Sequence, residues 1–225
     1  MVVLATKCYV EGEARERALK SLRSQIENEI HSLSVESEVG VRHDDFVTVT
    51  LTGDDATVAR NLLGEQWGEI TDHFTAGETY IGTLESWDDD GIVLDAGEKI
   101  RIPADELGLG VGSPSQIRDR FGLVQHLPMQ FVYGEPSRLA DQEVDRLYEW
   151  SRGRGRVNVN SATRGEVRAT VNRAGHAQDI VTVERLGLLE QSIICGEGTD
   201  PPGLLASIGE YLPAELRCVI GDPDQ

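Results

Sequence analysis

The side chains with the clearest chemical potential lie between Ser151 and Arg185, a segment with seven arginines and only three acidic residues. A guanidinium group presents a planar fork of donors that matches phosphate oxygens. The whole chain is strongly acidic, with a formal net charge of −18. Positive charge concentrated at one place attracts polyanions whatever the distant total. We therefore predict a nucleic-acid contact surface. The arginines expected to form it are Arg152, Arg154, Arg156, Arg164, Arg168 and Arg173.

Neutral donors adjoin these arginines. Asn158 and Asn160 follow the glycine-spaced basic run, and a helix that starts at Thr163 would offer its amino terminus to an anion. Arg164 and Arg168 are four positions apart and so share a helix face. The competing interpretation is that the arginines pair with nearby carboxylates at contacts between domains.

No catalytic signature is recognisable, so we expect no enzyme activity, no cofactor and no metal. The five histidines share no metal-ligand spacing, and none stands in a recognisable Ser-His-Asp or Cys-His setting. The acidic run 88–90 with Asp95 is more typical of a solvated hairpin turn than of a cation site. The glycine-rich loop 108–112 lacks the lysine and hydroxyl ending of a nucleotide loop.

A second candidate site lies near the carboxyl end. The run 196–205 resembles the ligand loop of ACT domains, which bind amino acids. The resemblance implies a ligand site at Thr199, Asp200 and Gly203, and a helix-capping turn is the alternative. An amino-acid sensor and a protein–protein scaffold therefore remain rival hypotheses.

The composition indicates the cellular environment of the protein. The chain has 225 residues, with 39 acidic and 21 basic side chains and only three lysines. This balance resembles a halophilic archaeal protein of the cytoplasm, in which carboxylates keep the surface hydrated; an acidic domain for basic partners is the alternative. No apolar stretch reaches the about 20 residues that span a bilayer, and the start is too short for a signal peptide. The three cysteines are expected to be buried thiols.

Periodicity predicts the elements that must position these groups. In a first unit, 1–74, strands are expected at 2–10, 35–41 and 46–52. A helix should bury Ala18, Leu22 and Ile26, and another, capped by Asp54, should turn Val58 and Trp67 inward. The order βαββα is most of a ferredoxin-like unit.

A second unit, 75–135, consists of short strands at 79–87, 91–96, 99–103 and 129–133, with a helix that a capping box at Ser113 opens. The pattern of glycines at 77, 82, 91 and 97 with Trp87 and the 102–107 run resembles the S1 class of OB-fold domains. This resemblance implies RNA contact through Tyr80, Trp87, Lys99 and Arg101. Core packing is the alternative for the aromatic side chains.

A third unit, 136–225, opens with a helix at 137–151 and then follows the order βαββαβ, with a capping box at Thr163. The predicted fold is α+β, with two ferredoxin-like modules flanking a small S1/OB-like barrel. End to end, the chain resembles an archaeal family of unknown function, on the central segment and the runs 157–164 and 198–205. We expect a non-catalytic factor that associates with RNA or a ribonucleoprotein in archaeal gene expression. In about 1 M salt the Debye length is about 3 Å, so such contacts must be close.

Overall fold

A computed structural model of the chain describes residues 1–221. The strands are β1 (Val2–Lys7), β2 (Glu36–Val41), β3 (Phe46–Thr52), β4 (Thr79–Asp88), β5 (Gly91–Asp95), β6 (Lys99–Pro103), β7 (Pro128–Val132), β8 (Arg138–Leu139), β9 (Arg156–Val159), β10 (Ile180–Arg185), β11 (Gln191–Cys195) and β12 (Leu216–Val219). The helices are α1 (Gly12–Ile30), α2 (Ala56–Trp67), α3 (Pro114–Phe121), α4 (Asp141–Arg152), α5 (Arg164–Arg173) and α6 (Pro201–Gly209). They form an α+β protein with three sheets.

The first unit packs α1 and α2 against a sheet of order β1-β3-β2. As predicted, α1 buries a stripe of apolar residues at helical spacing that includes Leu22 and Ile26. The prediction for Val58 was wrong, because 54% of its surface is exposed. The buried face of α2 runs through Ala59 and Leu63, which turns the neighbouring position outward.

The chain after α2 covers the free edge of β1. The Ala5 N–H donates to the Gly68 carbonyl at 3.1 Å, and the Ile70 N–H donates to the Val3 carbonyl at 2.8 Å. This short segment therefore occupies the position that a fourth strand would take. It satisfies backbone groups that an open edge would leave unpaired.

The second unit is one antiparallel sheet of order β6-β5-β4-β7-β8. It curls into a half-barrel, so that the edge strands β6 and β8 approach each other. The helix α3 lies between β6 and β7 in the chain and begins with the predicted capping box of Ser113 and Gln116. Phe121 and Phe131 are fully buried in its core.

The helix predicted at 137–151 begins later than expected. Residues 138–139 form β8, and α4 starts at Asp141. Its side chains Leu147 and Trp150 are buried in the core of the second unit. The helix α4 thus packs with the half-barrel that precedes it, across the boundary predicted at 135/136.

The third unit has four antiparallel strands in the order β10-β11-β9-β12. Its core contains Val157, Val159 and Ile193 from the sheet and Val167 and Ile208 from the helices. The helices α5 and α6 therefore cover one face of the sheet. The alternate positions of β9, such as Asn158, point to the opposite face.

A hairpin of the third unit inserts into the first unit. Leu188 and Leu189, between β10 and β11, are buried in the core that α1 and α2 form. The Leu188 N–H donates to the Thr6 hydroxyl at 2.9 Å. The Arg185 guanidinium lies 4.1 Å from the centroid of the Trp67 ring. Apolar and polar contacts therefore fasten the two units together.

Within residues 1–221, none of the helices is long and apolar enough to cross a membrane. All three cysteines are free thiols; Cys8 and Cys195 are buried as predicted, while Cys218 is partly exposed. Burial raises the pKa of the Cys195 thiol to about 11.

Candidate nucleic-acid interface

Five of the six predicted arginines are exposed and have no carboxylate within the 4.0 Å of an ion pair, as far as residues 1–221 extend. They are distributed over the end of α4, the connection to β9, and α5. Their charge is available to an external anion. The five are Arg152, Arg154, Arg164, Arg168 and Arg173.

Two of these arginines lie over tyrosine rings. The Arg152 guanidinium is 5.1 Å from the centroid of Tyr148, and that of Arg173 is 5.6 Å from the centroid of Tyr211. Tyr211 is itself 47% exposed. A guanidinium plane held on an aromatic ring is a surface on which unpaired nucleic-acid bases stack.

The exposed side of α5 carries Arg164 and Arg168, because Val167, Thr170 and Val171 form its buried face. The capping box predicted at Thr163 is present, and its partner Glu166 also accepts a bond from Arg17 at 2.8 Å. Partial burial opposes charge on Glu166, but the bonds from Thr163 and Arg17 outweigh it and lower its pKa. The amino terminus of α5 thus already holds an internal anion.

Arg156 has an internal environment. Its guanidinium is 4.7 Å from the Trp150 ring centroid, 3.3 Å from the Ser192 hydroxyl and 3.8 Å from a Glu184 oxygen. Burial lowers its pKa. This arginine therefore supports the contact between the second and third units and contributes little to the exposed surface.

Both predicted asparagines are buried. Asn158 donates to the Gly122 carbonyl at 2.9 Å, and Asn160 donates to the Gln125 carbonyl at 3.2 Å. Asn160 also accepts from the Glu215 N–H at 2.9 Å. The amides join the third sheet to the segment after α3 and are unavailable to a ligand in this arrangement.

The face of the third sheet opposite α5 and α6 is covered by the second unit. Arg118 of α3 stacks 3.4 Å from the Trp87 ring centroid and forms an ion pair with Glu215. Arg217 of β12 pairs with Asp119 of α3. Burial, with the neighbouring Arg217, lowers the pKa of Arg118 to about 10, so it stays charged at neutral pH. An RNA strand therefore cannot lie on this sheet face while the units are docked.

The predicted cations of the half-barrel are neutralised within the chain. Lys99 contacts Asp95 at 2.8 Å and Glu85 at 3.1 Å, and Arg101 pairs with Asp88. Burial opposes charge on Asp95, but the lysine contacts prevail and lower its pKa. These cations offer less free charge than the arginines of α5.

The predicted aromatic contacts are packing residues here. Tyr80 lies 4.9 Å from the Phe74 ring and 6.1 Å from the Phe131 ring, and its hydroxyl accepts from the Thr75 N–H. Trp87 is covered by the guanidinium of Arg118. Both rings are partly buried and pack against the core of the second unit.

The loop that resembles an ACT ligand site is engaged internally. Thr199 donates to the Asp179 carbonyl at 2.7 Å, and Asp200 caps α6 by accepting from the Gly203 N–H at 2.9 Å. Pro201 and Pro202 occupy the first helical positions and have no N–H to offer. A cleft of about 480 Å³ adjoins the loop. These contacts are those of a helix-capping turn, which was the alternative interpretation of this loop.

Three titratable side chains meet where the units join. Tyr9 of the first unit donates to Glu190 of the third at 2.7 Å, and its ring lies 4.0 Å from that of His126 in the second. Complete burial raises the pKa of Glu190 to about 8. Burial, reinforced by Lys7, lowers the pKa of His126 to about 4. Both groups are therefore mainly uncharged near pH 7.

The structure also contains a serine, histidine and aspartate in contact, which the sequence did not reveal. His176 is 2.6 Å from an Asp179 oxygen through Nδ1 and 2.7 Å from the Ser207 hydroxyl through Nε2. The sequence showed no recognisable Ser-His-Asp setting for any histidine, and the contact between His176 and Ser207 is formed by residues distant in the chain. The serine follows 31 positions after the histidine and no motif surrounds it, so only the tertiary fold shows the contact.

Across residues 1–221, no group of three or more His, Cys, Asp or Glu side chains is arranged to hold a metal ion. The acidic hairpin at 88–90 instead pairs with Arg101.

These features define an α+β protein of three docked units that displays five exposed arginines between positions 152 and 173, without an ion-pair partner among residues 1–221. Three family models match the chain in succession: the DUF2110 N-terminal domain over residues 1–73, the DUF2110 central domain over 74–151 and the DUF2110 C-terminal domain over 154–220. The chain belongs to the DUF2110 family. Among curated proteins, none matches it.

Proposed function

We propose that this protein is a factor that binds RNA or a ribonucleoprotein in archaeal gene expression, through the exposed arginines of its third unit. The observation that carries the proposal is the contrast between two sets of cations. Lys99 and Arg101 are paired with carboxylates, whereas Arg164 and Arg168 have none within 4.0 Å among residues 1–221. In a chain of net charge −18, unpaired cations on one unit favour an anionic partner.

The strand order of the second unit and the element order of the third unit support the proposal. The half-barrel has the strand order β6-β5-β4-β7-β8, which is compatible with an OB-type sheet opened between its third and fifth strands, and the element order βαββαβ of the third unit is compatible with a ferredoxin-like module. In our proposal these are S1/OB-like and ferredoxin-like modules. Because the docked units cover one face of the third sheet, RNA contacts the helical side, where α5 lies.

The acidic surface supports a setting of high salt in the cytoplasm of a halophile. Counterion release is a weak source of affinity there. The stacked pairs Arg152–Tyr148 and Arg173–Tyr211 supply the close contacts that persist under such screening.

The test is RNA binding by the quadruple variant Arg152→Ala, Arg154→Ala, Arg164→Ala and Arg168→Ala. Binding of total archaeal RNA and ribosomes would be measured by filter retention in 0.2 M and 2 M KCl. We expect at least a tenfold loss of affinity at both concentrations, since the four guanidinium groups supply most of the contact. Arg156 is left in place because its side chain supports the docking of two units.

The matched control is Lys99→Ala with Arg101→Ala, which removes exposed but internally paired cations. We expect its affinity to stay within about twofold of the parent protein. Equal losses in both variants, or no RNA binding by the parent, would refute the proposal. Capture of the partner from nuclease-treated extract would instead identify an acidic protein as the ligand of the arginines.

A further inference from the structure

The contact among His176, Asp179 and Ser207 has a defined direction. A carboxylate only accepts hydrogen bonds, so Asp179 holds the proton of the neutral imidazole on Nδ1. The lone pair then lies on Nε2, which is 2.7 Å from the Ser207 oxygen. In this neutral form of the imidazole, the serine hydroxyl donates to the histidine. This is the arrangement of an activated nucleophile, in which a third group orients the base.

The hydroxyl of Ser207 contacts a side chain outside its own helix. Serines inside helices commonly bond the carbonyl four residues earlier. Ser207 lies in the second half of α6, and its hydroxyl contacts a side chain that follows α5. The histidine and aspartate side chains are 27% and 46% exposed, so the group lies open to a substrate from solvent.

Donors for negative charge lie close to His176 and Asp179 in the sequence. Arg173 is exposed, has no carboxylate within 4.0 Å among residues 1–221, and lies over Tyr211, four positions after the serine. The loop between His176 and Asp179 exposes Ala177 and Gln178. Their backbone N–H groups donate to no acceptor in the part of the chain that the structure describes. Free N–H groups are the donors that a carbonyl oxygen needs when it becomes anionic, and a guanidinium binds an anionic group that the substrate already carries.

We propose that Ser207, His176 and Asp179 form a hydrolytic site for carboxylic esters whose acyl part carries an anionic group. The Ser207 oxygen bonds to the ester carbonyl carbon while its proton passes to Nε2 of His176. The carbon–alkoxide bond then breaks, and the departing alcohol takes that proton. Water attacks the acyl-serine, gives a proton to Nε2 and releases the acid, with the serine regaining its proton. Arg173 binds the anionic group of the acyl part.

The first test uses diisopropyl fluorophosphate on the full chain, followed by mass spectrometry of intact protein and of peptides. We expect one phosphoryl adduct, located on Ser207, and at least a hundredfold slower labelling in His176→Asn. Ser207→Ala should take up none. An unlabelled parent protein would overturn the proposal, and so would a variant that is labelled as fast as the parent. The three side chains would then only link α6 to the segment after α5 through hydrogen bonds.

The second test distinguishes a role of these side chains in hydrolysis from a purely structural role. With 4-nitrophenyl succinate as substrate, Arg173→Ala should lower kcat/KM at least tenfold, while kcat/KM for the neutral 4-nitrophenyl acetate stays within threefold. Asp179→Asn should lower both at least a hundredfold, because the asparagine allows the wrong tautomer. Should Ser207→Ala fail to fold, Ser207→Cys replaces it, and its alkylation by iodoacetamide must slow when His176 is also replaced. Equal hydrolysis by all variants would refute the assignment.

Discussion

Replacing Leu188 and Leu189 together by alanine is expected to lower the free energy of unfolding by about 4 kcal/mol or more. Each leucine is buried, with 3% and 1% of its surface exposed, in the core that α1 and α2 form. A buried leucine costs about 2–5 kcal/mol when it is truncated to alanine, through lost burial and the cavity left behind. Domain stability is typically about 5–15 kcal/mol, so a loss of this size is a large fraction of it. We therefore expect the first and third units to separate at a lower denaturant concentration than the one that unfolds the whole chain.

Guanidinium chloride titration followed by tryptophan fluorescence measures this effect. Trp67 reports on the junction, since Arg185 covers its ring at 4.1 Å. The matched control is Val181→Ala on the same hairpin, where 58% of the valine is exposed. We expect the control to stay within about 0.5 kcal/mol of the parent. A double variant as stable as the control would show that the hairpin does not fasten the units.

Glu190 should make the protein less stable as the pH rises above neutrality. Its folded pKa is about 8 against a usual value of 4.5, so the folded chain keeps a proton that the unfolded chain releases. The stabilisation is complete below pH 4.5 and is lost as the pH rises through 8. The buried His126 acts in the opposite sense, because its pKa of about 4 against 6.5 costs stability as the pH falls through that interval.

The two slopes oppose each other between pH 4.5 and 6.5, and only the Glu190 slope remains above that range. Between pH 6.5 and 8 we expect a loss of about 2 kcal/mol, since one pKa unit corresponds to about 1.4 kcal/mol. Glu190→Gln should abolish this decline and be more stable than the parent protein at pH 8. Urea titrations at half-unit steps of pH measure it.

The control for this prediction is Glu36→Gln, which removes an exposed carboxylate of β2. Its stability should follow the parent curve over the whole range. If Glu190→Gln also follows that curve, the alkaline decline has another origin and Glu190 titrates as an ordinary carboxyl group.

Local interactions made much of the fold predictable. The capping boxes at Ser113 and Thr163 join groups three positions apart, so a short stretch of sequence contains both partners. Alternation along Phe46–Thr52 likewise marks a strand with one buried face. Errors arose where burial depended on a distant partner. Val58 is apolar but lies outside the face of α2 that meets the sheet.

For the candidate sites too, local sequence and long-range contacts determined different features. The sequence identified a basic segment, and its composition required no knowledge of the fold. It did not distinguish Arg156, which stacks on Trp150, from Arg164, which is exposed. That distinction depends on which surfaces the docked units cover. The carboxylate partner of Arg101 on β6 is Asp88 of β4, 13 positions away in the chain, and β5 lies between these two strands in the sheet.

The sequence by itself determined the acidic character of this protein, the arginine-rich segment, the three-unit α+β organisation and the positions of most helices and strands. These follow from composition, from periodicity and from hydrogen bonds between near neighbours. Only the tertiary structure decided which arginines lack a carboxylate partner within residues 1–221, that Leu188 enters the core of another unit, and that Ser207 contacts His176. Such contacts join residues far apart in the chain, and their geometry depends on the packing of whole units.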